Sequence, residues 1–160
     1  MLEELQKVVE SGSEEEKALL GLALQAIRQK RERKSYFLSG MLGLQGEFLD
    51  ETTYQFLAPI TPFMHNSLGV VHGGITATLL DSSMGSLVNR TLPKGQYAVT
   101  TELKINYIRP GKTGRLRSEA TFLHKGKALV VCTASMFDEK DRLVAHATGT
   151  FMILGDTQKA

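Results

Sequence analysis

Apolar and polar residues alternate in two ways along the chain, and the difference separates helical from extended regions. From Ser13 to Ile27, apolar residues recur every three to four positions, which predicts a helix within residues 1–34, preceded at most by a short turn. Ser13 and Glu16 have the spacing of a capping box. The segment opens with acidic and closes with basic residues, which suits the helix dipole. We therefore expect one helix in this region.

A second helix is predicted over Gly73–Asn89, which is rich in glycine, alanine and serine. Glycine lowers the stability of an exposed helix, so this many small residues indicate close packing on most sides. The residues between Tyr36 and Phe63 are less regular, because several glycines there interrupt any helix. Two short strands are nevertheless expected, around Glu47–Asp50 and Thr53–Ala58.

The rest of the chain has the alternating pattern of β-strands. Apolar side chains occupy every second position between Val99 and Tyr107, and three further strands follow, ending with Leu143–Leu154. The short turns between them favour antiparallel pairing. These turns are Pro110–Gly114, His124–Lys127 and Asp138–Asp141. One antiparallel sheet wrapped around the second helix accounts for this order and predicts an α+β fold.

Composition and charge narrow the class of protein. The 160 residues are 42% hydrophobic and 22% charged, which suits one domain with its own core. With no repeat or linker, we expect that domain over residues 36–160 and a helical extension over residues 1–35. A formal net charge of +2 gives no indication of a nucleic-acid or membrane partner. The N-terminus lacks the layout of a signal peptide and no apolar run could cross a bilayer, so a cytoplasmic location is expected.

The single cysteine, Cys132, lies in the apolar run Ala128–Met136 and is expected to be a buried, inert thiol. An intramolecular disulfide is impossible with one cysteine. The histidines and the cysteine lack the spacing of metal ligands, so we expect no metal site.

The segment from Asn66 to Asp81 is the most informative for chemistry. Asn66 is followed by His72-Gly73-Gly74 and then by Asp81, eight residues beyond Gly73. Together with Thr100, the strand end Asn106–Gly111 and the turn Lys125–Lys127, this pattern resembles the hotdog-fold thioesterases of the phenylacetate-pathway (PaaI-like) type. The resemblance covers about residues 44–154 and leaves the N-terminal helix outside. It implies a hotdog fold, in which an antiparallel sheet wraps around a central helix.

The resemblance implies an acyl-CoA thioesterase that hydrolyses an acyl- or aryl-CoA thioester to a free acid and coenzyme A. Asp81 would be the nucleophile or the general base, and the sequence does not choose between them. Asn66 would orient water or the thioester, or else cap its loop. His72 would bond the thioester carbonyl or simply hold the loop. Thr100 would position water, although simple strand alternation turns it away unless the strand begins irregularly.

Gly73 is the predicted oxyanion donor. It begins the second helix, so its backbone N–H can face a carbonyl oxygen at the positive end of the helix dipole. Gly73 and Asp81 are eight residues apart, about 12 Å along a helix axis. A nucleophile must come within roughly 3–3.5 Å of the carbonyl carbon. The Asp81 of one chain therefore cannot attack a carbonyl bound at its own Gly73, which predicts a site shared by two subunits. The resemblance likewise implies a homodimer, often paired into a homotetramer.

Coenzyme A enters as part of the substrate, and no separate cofactor is expected. The resemblance places its contacts near Tyr107–Lys112 and Lys125–Lys127, together with Gly74 at the start of the second helix. These predicted contacts are Gly74, Tyr107, Arg109, Pro110, Gly111, Lys112, Lys125, Gly126 and Lys127. The basic side chains offer charge for the phosphates, and the two loop glycines would let backbone amides approach. Taken singly, each residue could equally be a solvated turn residue.

Two alternatives stay open. A hydratase or dehydratase on the same fold would need a histidine, for which His72 is the only candidate. A non-catalytic acyl-CoA sensor is the alternative outside enzymes, although the first 34 residues are too short for a helix-turn-helix domain. Aromatic, short and medium acyl groups all remain possible. Candidate residues for an acyl pocket, each of which could equally be core, are Phe56, Phe63, Met64, Leu68, Met84 and Leu87.

Overall fold

The structure, a computed structural model, describes residues 1–32 and 36–155. The N-terminal region contains two helices, α1 (Leu2–Ser11) and α2 (Glu14–Arg31). The prediction of a single helix was therefore wrong, and its last residues, 33 and 34, lie outside the described part. The predicted capping box explains the break. The Ser13 hydroxyl accepts a hydrogen bond from the Glu16 N–H at 3.2 Å, and the Glu16 carboxylate accepts one from the Ser13 N–H at 2.7 Å, so a new helix starts here.

A short helix, α3 (Phe37–Met41), lies where we predicted irregular chain. Gly40 belongs to this helix and is buried against Ala26 of α2. A side chain at Gly40 would collide with the backbone of Ala26, so this glycine permits the two helices to pack closely. Its role in packing cannot be distinguished from helix breaking by sequence alone.

Six antiparallel strands form one sheet in the order β1-β2-β4-β5-β6-β3. The strands are β1 (Gln45–Phe48), β2 (Thr53–Pro59), β3 (Tyr97–Tyr107), β4 (Arg115–Lys125), β5 (Leu129–Phe137) and β6 (Leu143–Leu154). A 3₁₀ turn, Pro62–Met64, follows β2. The expected pairing of β3 with β4 across the turn Pro110–Gly114 was wrong, because β3 crosses over to pair with β6 and forms one edge of the sheet. The predicted α+β hotdog architecture is confirmed.

The long helix α4 (Gly73–Thr91) packs against the sheet and forms the core with it. One face of α4 is fully buried through Leu80, Met84 and Leu87. The Ser83 and Ser118 hydroxyls are buried 2.7 Å apart, so these two polar groups satisfy each other between helix and strand. The opposite face carries small residues that are only half-buried within one chain. Close packing on most sides is therefore not achieved by one copy alone.

Cys132 lies in this core with no exposed surface, and burial raises the pKa of its thiol to about 12. This confirms the predicted burial of the cysteine. None of the helices in residues 1–32 and 36–155 has the length and apolar character needed to span a membrane.

Candidate active site

Asp81 and Thr100 are brought together by α4 and the edge strand β3. The Thr100 hydroxyl donates a hydrogen bond of 2.8 Å to Oδ1 of Asp81. Pairing between β3 and β6 shifts register between Thr100 and Glu102, as a β-bulge does. This irregular strand start turns Thr100 towards α4, as its predicted role requires. Asp81 itself is half-buried in one chain rather than enclosed.

Asn89, which sequence reasoning missed, fixes the start of β3 against α4. Its amide Oδ1 accepts a hydrogen bond from the Ala98 N–H at 2.8 Å, and its Nδ2 donates to the Ala98 carbonyl at 3.2 Å. Nδ2 also donates to the Gly85 carbonyl at 2.9 Å. Asn89 therefore holds the strand that carries Thr100 at a set distance from the helix that carries Asp81. No sequence signal distinguished it from an ordinary polar residue near a helix end.

His72 caps the first turn of α4. Its Nδ1 accepts a hydrogen bond from the Gly74 N–H at 2.9 Å, and its backbone carbonyl accepts from Ile75 and Thr76. Of the two roles predicted for the His72 side chain, this geometry corresponds to holding the loop. In the neutral ring the remaining proton is then on Nε2. The Gly74 N–H is occupied, so Gly74 has no free amide for a ligand.

Gly73 retains a free donor at the same helix end. Its N–H meets no acceptor within residues 1–32 and 36–155. Its carbonyl accepts a hydrogen bond from the Tyr107 hydroxyl at 3.1 Å, which ties α4 to the end of β3. A Cβ on Gly73 would contact the Tyr107 ring at an ordinary 3.5 Å. The packing of this chain therefore does not itself require glycine here.

A cavity of about 310 Å³, here called the Gly73 pocket, opens at this end of α4. Four of the predicted coenzyme A contacts line it beside Gly73, namely Tyr107, Arg109, Pro110 and Gly111. Arg109 and Lys112 also line a neighbouring cavity of about 370 Å³. The Arg109 guanidinium donates a hydrogen bond of 2.8 Å to the Leu143 carbonyl, so its position is set by β6. Gly111 packs against Val71 and Leu116, where a side chain would be crowded.

Asn66 lies in the loop before α4. Its Oδ1 accepts hydrogen bonds from the N–H groups of Leu68, at 2.9 Å, and Val70, at 3.4 Å. This arrangement matches the loop-capping role, which was predicted as the alternative to an active-site role. The two roles are compatible, because no acceptor for the Asn66 Nδ2 group occurs in the described part of the chain.

Lys125, Gly126 and Lys127 lie far from the Gly73 pocket within one chain. Strand β4 separates them from the turn after Pro110, a span of roughly 33 Å for eleven residues. They instead share the end of the sheet that carries Thr100. Thr100 pairs with Phe151, Phe151 with Val130, and Val130 with Lys125, which places Lys125 three strands away, about 14 Å. The Gly126 N–H donates to the Leu129 carbonyl, so this amide is not free to bind a ligand.

Asp81 lines a cavity of its own, of about 600 Å³, here called the Asp81 pocket. Ser82, Gly85 and Ser86 of α4 also line this cavity, as does Thr100 of β3. Of the candidate acyl-pocket residues, Phe56 lines this cavity, whereas Met64, Met84 and Leu87 belong to the core. The described residues that line the Asp81 pocket and the Gly73 pocket have no member in common.

Among the residues that the structure describes, no three histidine, cysteine or carboxylate side chains come close enough to hold an ion.

Comparison with known sequences places the chain among thioesterases. A family model described as the thioesterase superfamily matches residues 68–145. The 1,4-dihydroxy-2-naphthoyl-CoA hydrolase of Escherichia coli is 30% identical over 116 residues, which cover 72% of this chain and 85% of that enzyme. A Saccharolobus solfataricus protein provisionally named an esterase is 39% identical over 89 residues, and the match spans only 59% of that relative.

Solved structures share the fold of this chain. The BH2602 protein from Bacillus halodurans, crystallised with CoA, superposes with a TM-score of 0.86 and 36% identity, covering 96% of this chain and 100% of that one. The E. coli PaaI protein from the phenylacetic acid degradation operon gives a TM-score of 0.71 and 25% identity, covering 85% of this chain and 98% of that one. The match to BH2602 includes the N-terminal helices, which the sequence resemblance left outside.

Proposed function

The chain belongs to the thioesterase superfamily, and we propose that it hydrolyses acyl-CoA thioesters in a site shared by two copies of the chain. The observation that carries this proposal is the separation of two complementary half-sites. The Gly73 pocket offers a free backbone N–H but no carboxylate among its described lining residues, whereas the Asp81 pocket offers a hydrogen-bonded carboxylate. About 12 Å of helix lies between them. Two copies related by a two-fold axis can bring one of each together.

Each half-site supplies what the other lacks for acyl transfer. The Gly73 N–H, at the positive end of α4, stabilises the oxyanion that forms when the thioester carbonyl is attacked. Asp81 of the second copy either attacks the carbonyl carbon, giving an anhydride that water then opens, or removes a proton from an attacking water. In both routes the C–S bond breaks, the thiolate of coenzyme A takes up a proton, and the acid is released. Thr100 holds Oδ1 of Asp81, which leaves Oδ2 available for this chemistry.

The edge strand supports pairing of two copies. One side of β3 pairs with β6, and its other side is an unpaired edge among the described residues of one chain. Tyr97 and Val99 on this strand are 44% and 40% exposed. An exposed edge with apolar side chains favours pairing with another strand. We therefore propose a homodimer formed through β3, and further pairing of two dimers into a tetramer. We also propose a cytoplasmic location.

Two clusters of basic residues would then face one substrate. Arg109 and Lys112 would accompany the Gly73 of one copy, and Lys125 and Lys127 would lie on the same end of the sheet as the Asp81 of the other. Both clusters offer charge for the phosphates of coenzyme A. The BH2602 protein, crystallised with CoA, supports this class of ligand. No separate cofactor is needed for the hydrolysis.

Thiol release from a panel of acyl-CoAs tests the proposal. Asp81→Asn keeps the size of the side chain but removes its charge, so we expect the rate to fall about a hundredfold or more. Asp141→Asn is the matched control, because Asp141 is exposed and its positive φ of 55° suits asparagine equally. Wild-type protein that binds acyl-CoA without releasing thiol would favour the sensor alternative. Full activity in Asp81→Asn would refute the proposed mechanism.

A further inference from the structure

The Asp81 pocket continues along α4 into a larger cavity of about 750 Å³. The two share Ser39, Phe56, Ser86 and Arg90 among their lining residues, so they adjoin along α4. The larger part, here called the Arg90 cavity, lies where α4 faces the end of α2, α3 and strands β1 and β2. A volume of this size suits a small organic group.

Positive charge dominates the Arg90 cavity. Lys30 and Arg31, from the last turn of α2, and Arg90, from the last turn of α4, all line it. None of the lining residues in the described chain is acidic. A basic residue in the last turn of a helix offsets the helix dipole, but that effect does not require cations from two helices to converge on one cavity. A concave space with one sign of charge favours an anion.

The walls of the Arg90 cavity also offer apolar contact. Tyr54 and Phe56 line it, and Arg90 lies 5.3 Å from the centre of the Tyr54 ring. Aromatic walls beside converging cations suit an organic anion that has an apolar part.

We propose that the Arg90 cavity receives the acyl group of the substrate and that this acyl group ends in a carboxylate. The inference rests on the proposed thioesterase function, which places the thioester carbonyl beside Asp81. From Asp81, α4 runs nine residues to Arg90, about 13 Å along its axis. The residues proposed above for the coenzyme A phosphates, namely Arg109, Lys112, Lys125 and Lys127, do not line the Arg90 cavity. The cations of this cavity are therefore available to the far end of the acyl chain, and α2 takes part in substrate selection through Lys30 and Arg31.

The selectivity between ω-carboxyacyl-CoA and unsubstituted acyl-CoA of equal chain length tests this proposal. Suberoyl-CoA against octanoyl-CoA and sebacoyl-CoA against decanoyl-CoA are suitable pairs. We expect wild-type protein to favour the carboxylated member in kcat/KM. Arg90→Gln and Lys30→Gln should each lower that selectivity ratio about tenfold, since each removes a charge-assisted bond to the carboxylate. Arg28→Gln is the control, because Arg28 lies on α2 three residues before Arg31 but does not line the cavity. It should leave both activities and the selectivity ratio unchanged.

N-acetylcysteamine thioesters of the same acids distinguish an acyl carboxylate from a coenzyme A phosphate as the anion bound. They carry the acyl group without any phosphate, so the effect of Arg90→Gln on the ratio should persist with them. The proposal would be overturned if Arg90→Gln lowered kcat/KM equally for both CoA thioesters and left kcat/KM unchanged for both N-acetylcysteamine thioesters. A wild-type preference for the unsubstituted chain would also overturn it, while leaving the thioesterase function intact. Absence of thiol release from every substrate would instead refute the proposed function itself. Melting curves by circular dichroism verify that each variant is folded.

Discussion

Thr100→Val removes the hydrogen bond that orients Asp81 while keeping the shape of the side chain. The Thr100 hydroxyl lies 2.8 Å from Oδ1 of Asp81. A hydrogen bond to a charged group is worth about 1.5–3 kcal/mol. Because Thr100 is exposed and Asp81 half-buried in one chain, we take the lower end, about 1.5 kcal/mol, which corresponds to roughly a tenfold loss in rate.

The neighbouring Thr101→Val variant is the matched control. Thr101 is the unpaired residue of the same β-bulge, and its hydroxyl donates to the Thr150 carbonyl at 3.0 Å. Thiol release should show kcat lowered about tenfold in Thr100→Val and changed less than twofold in Thr101→Val, with similar melting temperatures. Equal rates in the two variants would refute a catalytic positioning role for Thr100.

Three further changes report on separate features. His72→Ala removes the cap on α4, so the free energy of unfolding should fall by about 1 kcal/mol in a urea titration, and an unchanged midpoint would contradict the capping role. Cys132, whose pKa is raised to about 12 by burial, should not react with a thiol reagent at pH 8 until the protein is unfolded; rapid labelling of folded protein would show that the core is open. Hydrogen bonds from Arg142 lower the pKa of Asp138 below its usual 3.8, so its contribution to stability is complete above that pH and is lost as the pH falls through the folded-state pKa. Asp138→Asn should therefore reduce the loss of stability measured between pH 5 and pH 2, and an identical acid profile would exclude this contribution.

Helix α4 and the individual strands β3 to β6 could be predicted because their patterns of burial repeat locally along the sequence. The pairing of β3 with β6 rather than with β4, its neighbour in the chain, could not be predicted in this way. The break between α1 and α2 was missed, although the Ser13 capping box that causes it was recognised. Helix α3 was missed because five residues are too few to show a helical period. In each case the deciding contact lies at the end of an element, where sequence patterns are least informative.

The residues of the candidate site likewise fall into two sets, those that a sequence motif indicates and those that only the tertiary structure brings together. Asp81, Gly73 and His72 lie in one continuous motif and could be selected from the sequence. Thr100 meets Asp81 only because of the register shift between β3 and β6, which depends on a strand about fifty residues later in the chain. Asn89 has no motif, and the Arg90 cavity is assembled from several separated segments. Such features follow from tertiary packing and leave no local signal.

The most direct test of the shared site combines two inactive variants in one oligomer. Gly73→Pro removes the proposed oxyanion donor, and proline is well tolerated at the first position of a helix. Alone, Gly73→Pro should lose about a hundredfold or more in kcat, as should Asp81→Asn. A heterodimer of one Gly73→Pro chain and one Asp81→Asn chain can be purified with two different tags. One of its shared sites carries both substitutions, and the other combines an intact Gly73 with an intact Asp81.

Thiol release by this heterodimer is therefore the measurement to make. The shared-site mechanism predicts recovery of about half the activity of the wild-type dimer, since one of the two sites is intact. A heterodimer as inactive as the two parent variants would contradict it and would place Gly73 and Asp81 in the same copy of the chain.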